Sequence, residues 1–264
     1  MKPSGVVTLL TDFGIEDPFV GVMKGVILGR FAAAALVDLT HVVEPGGVAV
    51  AAFWLGQAYR YFAPGTVHLT VVDPGVGTAR AAVVARAAEQ LFVGPDNGLF
   101  EVVARQAGSM EARRIDGARF GLAEPSRTFH GRDLFAPVAA ELARGGIRFE
   151  DVGPEHTLAA TELVPVASAT SGGLDGEVLA VDRFGNLVTN VTRELLGDAP
   201  GVRVELVERS LGLVGTFGDV PSGECAACIG SFGQIEVFQR DGSAARALGA
   251  QRGARVRVYR SEAS

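Results

Sequence analysis

The sequence VHLTVVDPGVGTAR occupies residues 67–80 and joins a strand to the loop that follows it. Residues 67–72 are mostly apolar and β-branched, a pattern typical of a strand buried on both faces. Residues 73–80 hold an aspartate, a proline and two glycines, which are typical of a loop. A strand buried on both faces predicts a parallel sheet covered by helices, and such helices should flank this stretch.

Strand and helix patterns alternate on both sides of it. We predict an N-terminal α/β domain, residues 1–166, whose mostly parallel sheet is flanked by helices. The predicted strands are residues 6–11, 35–39, 67–72, 82–87 and 91–94, and the predicted helices are residues 19–29, 48–62, 99–106 and 134–144. Asp17 and Pro18 stand where a helix cap and a first helical residue are expected.

The composition changes after Pro165. Residues 167–173 are small and polar, as in a linker, and short alternating runs separated by turn residues follow. This pattern predicts a smaller C-terminal all-β domain, residues 172–264, built as a barrel or sandwich. The runs are residues 176–181, 187–191, 202–206, 235–238 and 255–259.

Bulk properties exclude several classes of protein. The 264 residues are 48% hydrophobic and 20% charged, with a net charge of −6, which are globular values. The sequence has no cluster of Lys and Arg residues, so a nucleic-acid partner is not expected. It also has no apolar run that predicts a membrane span or a signal peptide, so we expect a cytoplasmic protein. Cys225 and Cys228 form a lone CxxC without further ligands, so we expect buried thiols and no metal site.

Carboxylates follow three of the predicted strands. Asp12 and Asp17 follow the first, Asp73 follows residues 67–72, and Asp96 follows residues 91–94. Ligands bind at the carboxyl ends of parallel strands, so these groups should share one rim. Carboxylates can bind ribose hydroxyls or a cationic ligand. The 73–80 loop has only two of the three glycines that a dinucleotide-binding loop needs, so it does not predict a dinucleotide site. A cap or turn role for each aspartate remains open.

Two further segments carry candidate groups. His130 lies in RTFHGRD, residues 127–133, beside a glycine and two charged residues, whereas His41, His68 and His156 are expected to be structural. Asn186 follows Phe184 in DRFGN, residues 182–186, where an amide could read an adenine edge and a ring could stack on it. An ordinary β-turn remains the alternative for that segment.

The ordered set of motifs resembles the S-adenosylmethionine (SAM) hydroxide adenosyltransferases, also called SAM hydrolases, relatives of the fluorinating and chlorinating SAM enzymes. The matching segments are TDFG (11–14), DPGVGTAR (73–80), GPDNGL (94–99), FHGRD (129–133), DRFGN (182–186) and SFG (231–233). The resemblance implies hydrolysis of SAM to adenosine and methionine by attack of water on ribose C5′, with SAM as substrate and no cofactor. It also implies a homotrimer whose active sites lie at subunit interfaces.

The same resemblance implies a role for each site residue. Asp73, Arg80 and His130 would hold the attacking water, although which of Asp73 and His130 accepts its proton stays open. Asp12 would bind the ribose; Phe184, Asn186 and backbone near Gln239 would hold the adenine; Asp17, Asp182 and Ser231 would hold the methionine part, with Glu236 a further contact. Arg240 stands where the family pattern has an asparagine, so contacts there should differ.

The sequence leaves three alternative functions open. A halide adenosyltransferase is disfavoured because an anionic Asp73 beside the nucleophile would repel a halide. A non-catalytic SAM- or adenosine-binding module would not need Asp73, Arg80 and His130. An NAD-dependent enzyme would need a glycine fingerprint that the sequence lacks.

Overall fold

The computed structural model describes residues 1–197 and 201–259. The chain divides into two compact units, one of residues 1–164 and one that begins at Pro165. Each unit buries its own set of hydrophobic residues, and in the first unit these form two cores.

The first unit is built on a seven-stranded sheet of order β2-β1-β3-β5-β4-β6-β7. Neighbours among β2, β1, β3 and β5 are parallel, while β4 runs antiparallel to β5 and to β6, so five of the seven strands point the same way. The strands are β1 (Val6–Thr11), β2 (Ala35–Thr40), β3 (Val67–Val71), β4 (Ala82–Ala87), β5 (Gln90–Pro95), β6 (Glu111–Arg114) and β7 (Glu155–His156). The predicted α/β class with a mostly parallel sheet is confirmed.

Helices cover this sheet, and each of the unit's two cores combines sheet and helix residues. Met23, Ile27 and Val138 share one core with β1 and β3, while Leu55 and Val103 share the other with β4 and β5. The helices are α1 (Phe19–Arg30), α2 (Val48–Ala58), α3 (Glu101–Ala107) and α4 (Ala136–Ala143). Burial from both sides explains why β3 is buried at all five positions.

The second unit is a closed seven-stranded barrel. Strand β9 pairs with both β10 and β15, and this closes the ring β9-β10-β14-β13-β12-β11-β15. The strands are β8 (Ser168–Thr170), β9 (Gly173–Val181), β10 (Leu187–Thr192), β11 (Arg203–Leu206), β12 (Arg209–Val214), β13 (Cys225–Ile229), β14 (Gln234–Gln239) and β15 (Arg255–Tyr259), with short helices α5 (Arg193–Leu196) and α6 (Ala244–Leu248). The predicted barrel-like all-β domain is confirmed.

Three local expectations were wrong. The expected linker 167–173 contains β8, which pairs with the start of β9. Helix α2 ends at Ala58 and tightens into a 3-10 turn over Tyr59–Tyr61. Pro18, not Asp17, is the cap residue of α1 and no side chain caps the helix, so the exposed Asp17 carboxylate is not used for capping.

Candidate active site

Arg80 is the centre of a three-residue cluster after β3. Its Nε donates to Asp73 Oδ1 at 2.9 Å and Oδ2 at 3.1 Å, and its Nη2 also donates to Asp73 Oδ2. The same Nη2 lies 3.0 Å from His130 Nδ1. The side chains of Arg80 and Asp73 are 10% and 4% exposed, so the pair is largely shielded from water. The structure thus brings together the three residues predicted to hold the nucleophile.

Local backbone chemistry explains how the cluster forms. The loop from Asp73 turns back on itself because Thr78 Oγ1 donates to Gly75 O at 2.6 Å. Gly77 has a φ of +76° and lies against the carbonyl of Arg127, where any side chain would collide with that backbone. A glycine at position 77 therefore lets the Arg80 loop pack on the segment that carries His130.

A buried ring forms the floor of the cluster. The Arg80 guanidinium lies 5.2 Å from the centroid of Phe135, which is fully buried in the π-helical turn Gly131–Phe135 before α4. Phe135 also meets the His130 ring edge-on at 6.5 Å. Cation–π contact fixes a guanidinium that has few water molecules around it. The sequence does not predict this role, since nothing in it distinguishes Phe135 from other core phenylalanines.

The hydrogen bond to Arg80 fixes the protonation of His130. A guanidinium only donates hydrogen bonds, so His130 Nδ1 must accept and a neutral ring carries its proton on Nε2. Burial, followed by the Arg80 charge, lowers the pKa of His130. His130 is therefore a neutral imidazole whose Nε2–H is a hydrogen-bond donor.

The strand-end carboxylates do not all serve the same purpose. Asp12 Oδ2 accepts from Gly46 N at 2.8 Å, which leaves its other oxygen for a ligand. Asp96 is instead bound to His156 Nε2 at 2.7 Å and to the backbone of Ala159 at 3.0 Å. Asp96 thus anchors the 156–159 segment, which favours the structural alternative for this aspartate.

In the barrel unit, Asp182 organises the loop between β9 and β10. Its Oδ1 accepts from the backbone of Phe184 at 2.9 Å and of Asn186 at 2.8 Å, and its Oδ2 accepts from Asn186 Nδ2 at 2.9 Å. Asn186 is 8% exposed, and within residues 1–197 and 201–259 its Oδ1 and its second N–H have no partner, while Phe184 is 77% exposed. An ordinary β-turn and a role in recognising adenine are thus compatible for residues 182–186, because one turn carries both the Asn186 amide and the Phe184 ring.

The remaining predicted residues lie on or beside β14. Ser231 is exposed in the turn before this strand, whereas Glu236 on the strand is 9% exposed. Burial and the nearby Asp182 carboxylate raise the pKa of Glu236. Arg240 donates to the carbonyls of Gly218 at 3.1 Å and Val220 at 2.7 Å, so it stabilises a loop of its own unit.

An aromatic group that was not predicted from the sequence lies beside the segment that carries His130. Phe13, Phe19 and Phe129 meet edge-to-face, with ring centroids 5.4–6.0 Å apart. Phe13 and Phe129 lie inside the TDFG and FHGRD motifs, which is the signal that could have found them. The group borders Gly131, where an added Cβ would lie 3.2 Å from Phe129 and 3.4 Å from Phe13.

Two observations concern metals and membranes. Among residues 1–197 and 201–259, no group of three His, Cys, Asp or Glu side chains is placed to hold a metal ion. Within that same part of the chain, no helix is long and apolar enough to cross a membrane.

Cys225 and Cys228 are free thiols on β13. Burial raises the pKa of both thiols, that of Cys228 to about 11.

The α/β unit, the barrel and the arginine-centred cluster define a two-domain enzyme. Residues 7–153 match the family model of the SAM hydroxide adenosyltransferase N-terminal domain, and residues 176–257 match that of its C-terminal domain. The chain belongs to the SAM hydroxide adenosyltransferase family.

Individual relatives agree with this assignment. An (R)-S-adenosyl-L-methionine hydrolase of Thermus thermophilus is 43% identical over 98% of this chain and 100% of its own length. One of Salinispora tropica is 42% identical over 98% of this chain and 99% of its own. An uncharacterized conserved protein of Thermotoga maritima has a crystal structure that matches with a TM-score of 0.88 at 38% identity, covering 96% of this chain and 100% of that one. Among more distant relatives, a fluorinase of Actinopolyspora mzabensis is 28% identical over 97% of both chains.

Proposed function

We propose that this protein hydrolyses SAM to adenosine and L-methionine by attack of water on ribose C5′. The names of its relatives support the reaction. The observation that carries the mechanism is the position of Arg80 between Asp73 and His130. SAM is the substrate in this proposal, and the reaction needs no cofactor.

The cluster suits a displacement in which water must gain hydroxide character. Departing methionine is a neutral thioether, so the leaving group needs no help and the site must position and activate the nucleophile. Arg80 supplies a fixed positive charge, and His130 Nε2–H donates to the water oxygen; both stabilise the negative charge that develops there. The reaction turns SAM and water into adenosine, methionine and one proton.

The geometry favours Asp73 as the acceptor of that proton. His130 Nδ1 is occupied by the Arg80 N–H, so the ring has no free basic nitrogen while this bond persists. Asp73 has oxygen lone pairs beyond those that face Arg80, and a carboxylate accepts a hydrogen bond from water readily. In this proposal His130 orients the water, and Asp73 takes its proton.

Other residues would hold the rest of SAM. Asn186 offers one acceptor and one donor, which match the N6–H and ring nitrogen of an adenine edge, and the exposed Phe184 ring can stack on the base. Asp12 has one oxygen left for a ribose hydroxyl. We assign the methionine part to Asp17, Asp182, Ser231 and Glu236 as a group.

The proposed function also includes a particular oligomeric state. We propose a homotrimer in which Asp73 of one subunit and Asn186 of the next contribute to one active site. The family resemblance supports this, as does the division of the predicted site residues between the α/β unit and the barrel unit. A cytoplasmic location stays a prediction from the sequence.

The similarity to fluorinases makes halide transfer to C5′ the competing activity. A halide that attacks C5′ would have to approach the buried, anionic Asp73, and like charges repel strongly where water is scarce. Hydroxide can donate a hydrogen bond to the carboxylate, whereas a halide cannot. The Asp73 position therefore favours water over halide as nucleophile.

The deciding experiment incubates the purified protein with SAM in ¹⁸O-water and analyses the products by mass spectrometry. We expect adenosine and methionine in equal amounts, with solvent oxygen at O5′ of adenosine. Labelled methionine would refute attack at C5′. A 5′-halo product that depends on added halide would establish the halide activity, and SAM recovered intact would indicate a binding module.

A further inference from the structure

His41 links the loop after β2 to the loop after β1. Strands β1 and β2 are parallel and end side by side, with Leu10 opposite Thr40, so the residues that follow them emerge together. The His41 ring is 6% exposed, and its Nδ1 lies 2.9 Å from Oγ1 of Thr11, which is fully buried. Buried polar groups are normally paired, and these two groups pair with each other.

The same histidine shapes the turn that follows Thr11. Thr11 Oγ1, which the His41 ring contacts, also accepts from Phe13 N at 3.3 Å. The backbone carbonyl of His41 accepts from Gly14 N at 2.7 Å. Asp12 lies between these anchored residues, so the backbone on both sides of this aspartate is held by contacts that involve one histidine.

The Asp12 carboxylate is held as well, and its anchor lies beside the loop of the nucleophile cluster. Gly46 N donates to Asp12 Oδ2 at 2.8 Å, which leaves Oδ1 for a ribose hydroxyl. A Cβ on Gly46 would lie 3.9 Å from Pro74, the residue after Asp73. A carboxylate that binds the ribose belongs at this place, because the attacked C5′ is a carbon of the same ribose.

The far side of the His41 ring faces a surface ion pair. Nε2 lies 3.0 Å from Asp38 Oδ1, an ion-pair distance without the alignment of a hydrogen bond. Asp38 Oδ2 accepts from Lys24 Nζ of α1 at 2.6 Å. The ring therefore has a protein group near each nitrogen, so it acts on the site through Thr11 and does not bind a ligand itself.

We propose that His41 is a positioning residue for the ribose, because it holds residues 11–14 so that the free oxygen of Asp12 meets the ribose hydroxyls. From the sequence, His41 was expected to be structural. Hydrogen bonds weaken steeply when they are misaligned, so a loop released from His41 would lose affinity for the ribose. This inference rests on the proposed function in its assignment of Asp12 to the ribose of SAM.

The test compares the dissociation constants of adenosine and 2′,3′-dideoxyadenosine, measured by titration calorimetry, because the second ligand lacks the ribose hydroxyls. We expect His41→Ala to weaken adenosine binding about tenfold, in the range for a hydrogen bond to a charged group, and to leave dideoxyadenosine unchanged. Thr11→Val removes the hydroxyl that His41 contacts with little change of shape, and it should give the same result. The KM for SAM should rise with the adenosine constant while kcat stays nearly constant.

Two further variants separate positioning from stability. His156→Ala is the control, because His156 is likewise paired with an aspartate but lies on β7, at the opposite edge of the sheet from β2. It should leave both dissociation constants unchanged, even where the melting temperature falls. His41→Asn places an amide near the Nδ1 position and should recover most of the affinity for adenosine that His41→Ala loses.

A double variant tests whether His41 acts through Asp12. Asp12→Ala should remove the preference for adenosine over dideoxyadenosine, and adding His41→Ala to it should have no further effect. An additional loss in the double variant would show that His41 acts by another route and would overturn the inference.

The other outcomes are equally decisive. Equal weakening of both ligands in His41→Ala and Thr11→Val would show that His41 supports the whole site, and unchanged adenosine binding in both variants would show that it supports none of it; either result overturns the inference. A wild type without preference for adenosine would overturn it too. Wild type that releases no methionine from SAM would instead refute the proposed reaction alone, because the binding measurements do not depend on hydrolysis.

Discussion

At the scale of single residues, Arg80 binds Asp73 and His130 at the same time. Lysine would keep the charge but cannot donate a planar fork to Asp73 and also reach the imidazole. We expect Arg80→Lys to lower kcat about a hundredfold while the KM for SAM stays nearly constant, because the cluster acts on the water. Arg127→Lys, whose side chain is exposed in the neighbouring segment, should leave both constants unchanged.

A second measurement tests whether the cluster acts as one unit. Groups that serve one water molecule are non-additive, so Asp73→Ala/His130→Ala should be scarcely slower than the slower single variant. Fully additive losses in kcat, with unchanged melting temperatures, would show independent roles and refute a shared water.

His68 gives the α/β unit a specific dependence on pH. It is fully buried on β3 between Thr8 Oγ1 at 2.8 Å and Gln90 Oε1 at 2.7 Å, and burial lowers its pKa to about 4. The unfolded chain takes up a proton near pH 6.5 and the folded chain only near pH 4, so stability falls as pH drops between these values. From pH 7 to pH 5 the loss from His68 should be about 2 kcal/mol.

Nuclear magnetic resonance can check this directly, because the chain has only four histidines. The His68 ring should stay neutral down to about pH 5. His68→Gln, measured by urea unfolding, should show a smaller loss of stability on acidification than wild type. A His68 signal that titrates near pH 6.5 would contradict the prediction.

Residue types indicated the chemistry of the candidate site, and the contacts in the structure show which of these groups already have partners. Asp12, Asp73 and Asp96 each follow a strand, and sequence patterns alone treat them alike. Asp96 is bound by His156, which is 60 residues away, so local sequence could not show that it serves as an anchor. Likewise, nothing local to Glu236 indicates that it would be buried.

At the scale of elements, helix α3 holds the end of the α/β unit through one carboxylate. Glu101 accepts from Thr161 Oγ1 at 2.7 Å and from the backbone N–H groups of Leu163 at 2.9 Å and Val164 at 3.1 Å. We expect Glu101→Ala to weaken the protection of both amides by about 2 kcal/mol, the scale of a hydrogen bond to a charged group, or roughly thirtyfold faster exchange.

Hydrogen exchange read at single amides tests this anchoring. Glu162→Ala is the matched control, because Glu162 is exposed within the same segment. Unchanged exchange at Leu163 and Val164 in Glu101→Ala would mean that packing alone holds the segment in place.

Element prediction succeeded where hydrophobic pattern and burial agree. Strand β1 and strand β4 were predicted to the residue, because apolar runs ended at clear loop signals. Strand β6, with the sequence EARR, has no such pattern and forms because β4 offers it an edge. The π-helical turn at Gly131–Phe135 was likewise not predicted, since no residue type in its sequence GRDLF distinguishes it from an ordinary α-helical turn.

At the scale of the whole molecule, the predicted site residues divide into two sets. Asp12, Asp73, Arg80 and His130 belong to the unit of residues 1–164, whereas Asn186 and Glu236 belong to the barrel unit. Under the proposed trimer, each active site would combine one set with the other set from the next subunit. A variant damaged in one set would then complement a variant damaged in the other.

We expect co-refolded Asp73→Ala and Asn186→Ala chains to recover SAM hydrolysis that neither variant shows alone. A random mixture of the two chains creates some interfaces at which an intact Asp73 meets an intact Asn186, and only a shared site can benefit from this. Asp73→Ala mixed with His130→Ala is the control, because both changes lie in the same set and no interface would restore the cluster. Sedimentation should show trimers for each mixture. Trimers without recovery would place each site within one subunit, and a monomeric chain would refute the proposed assembly.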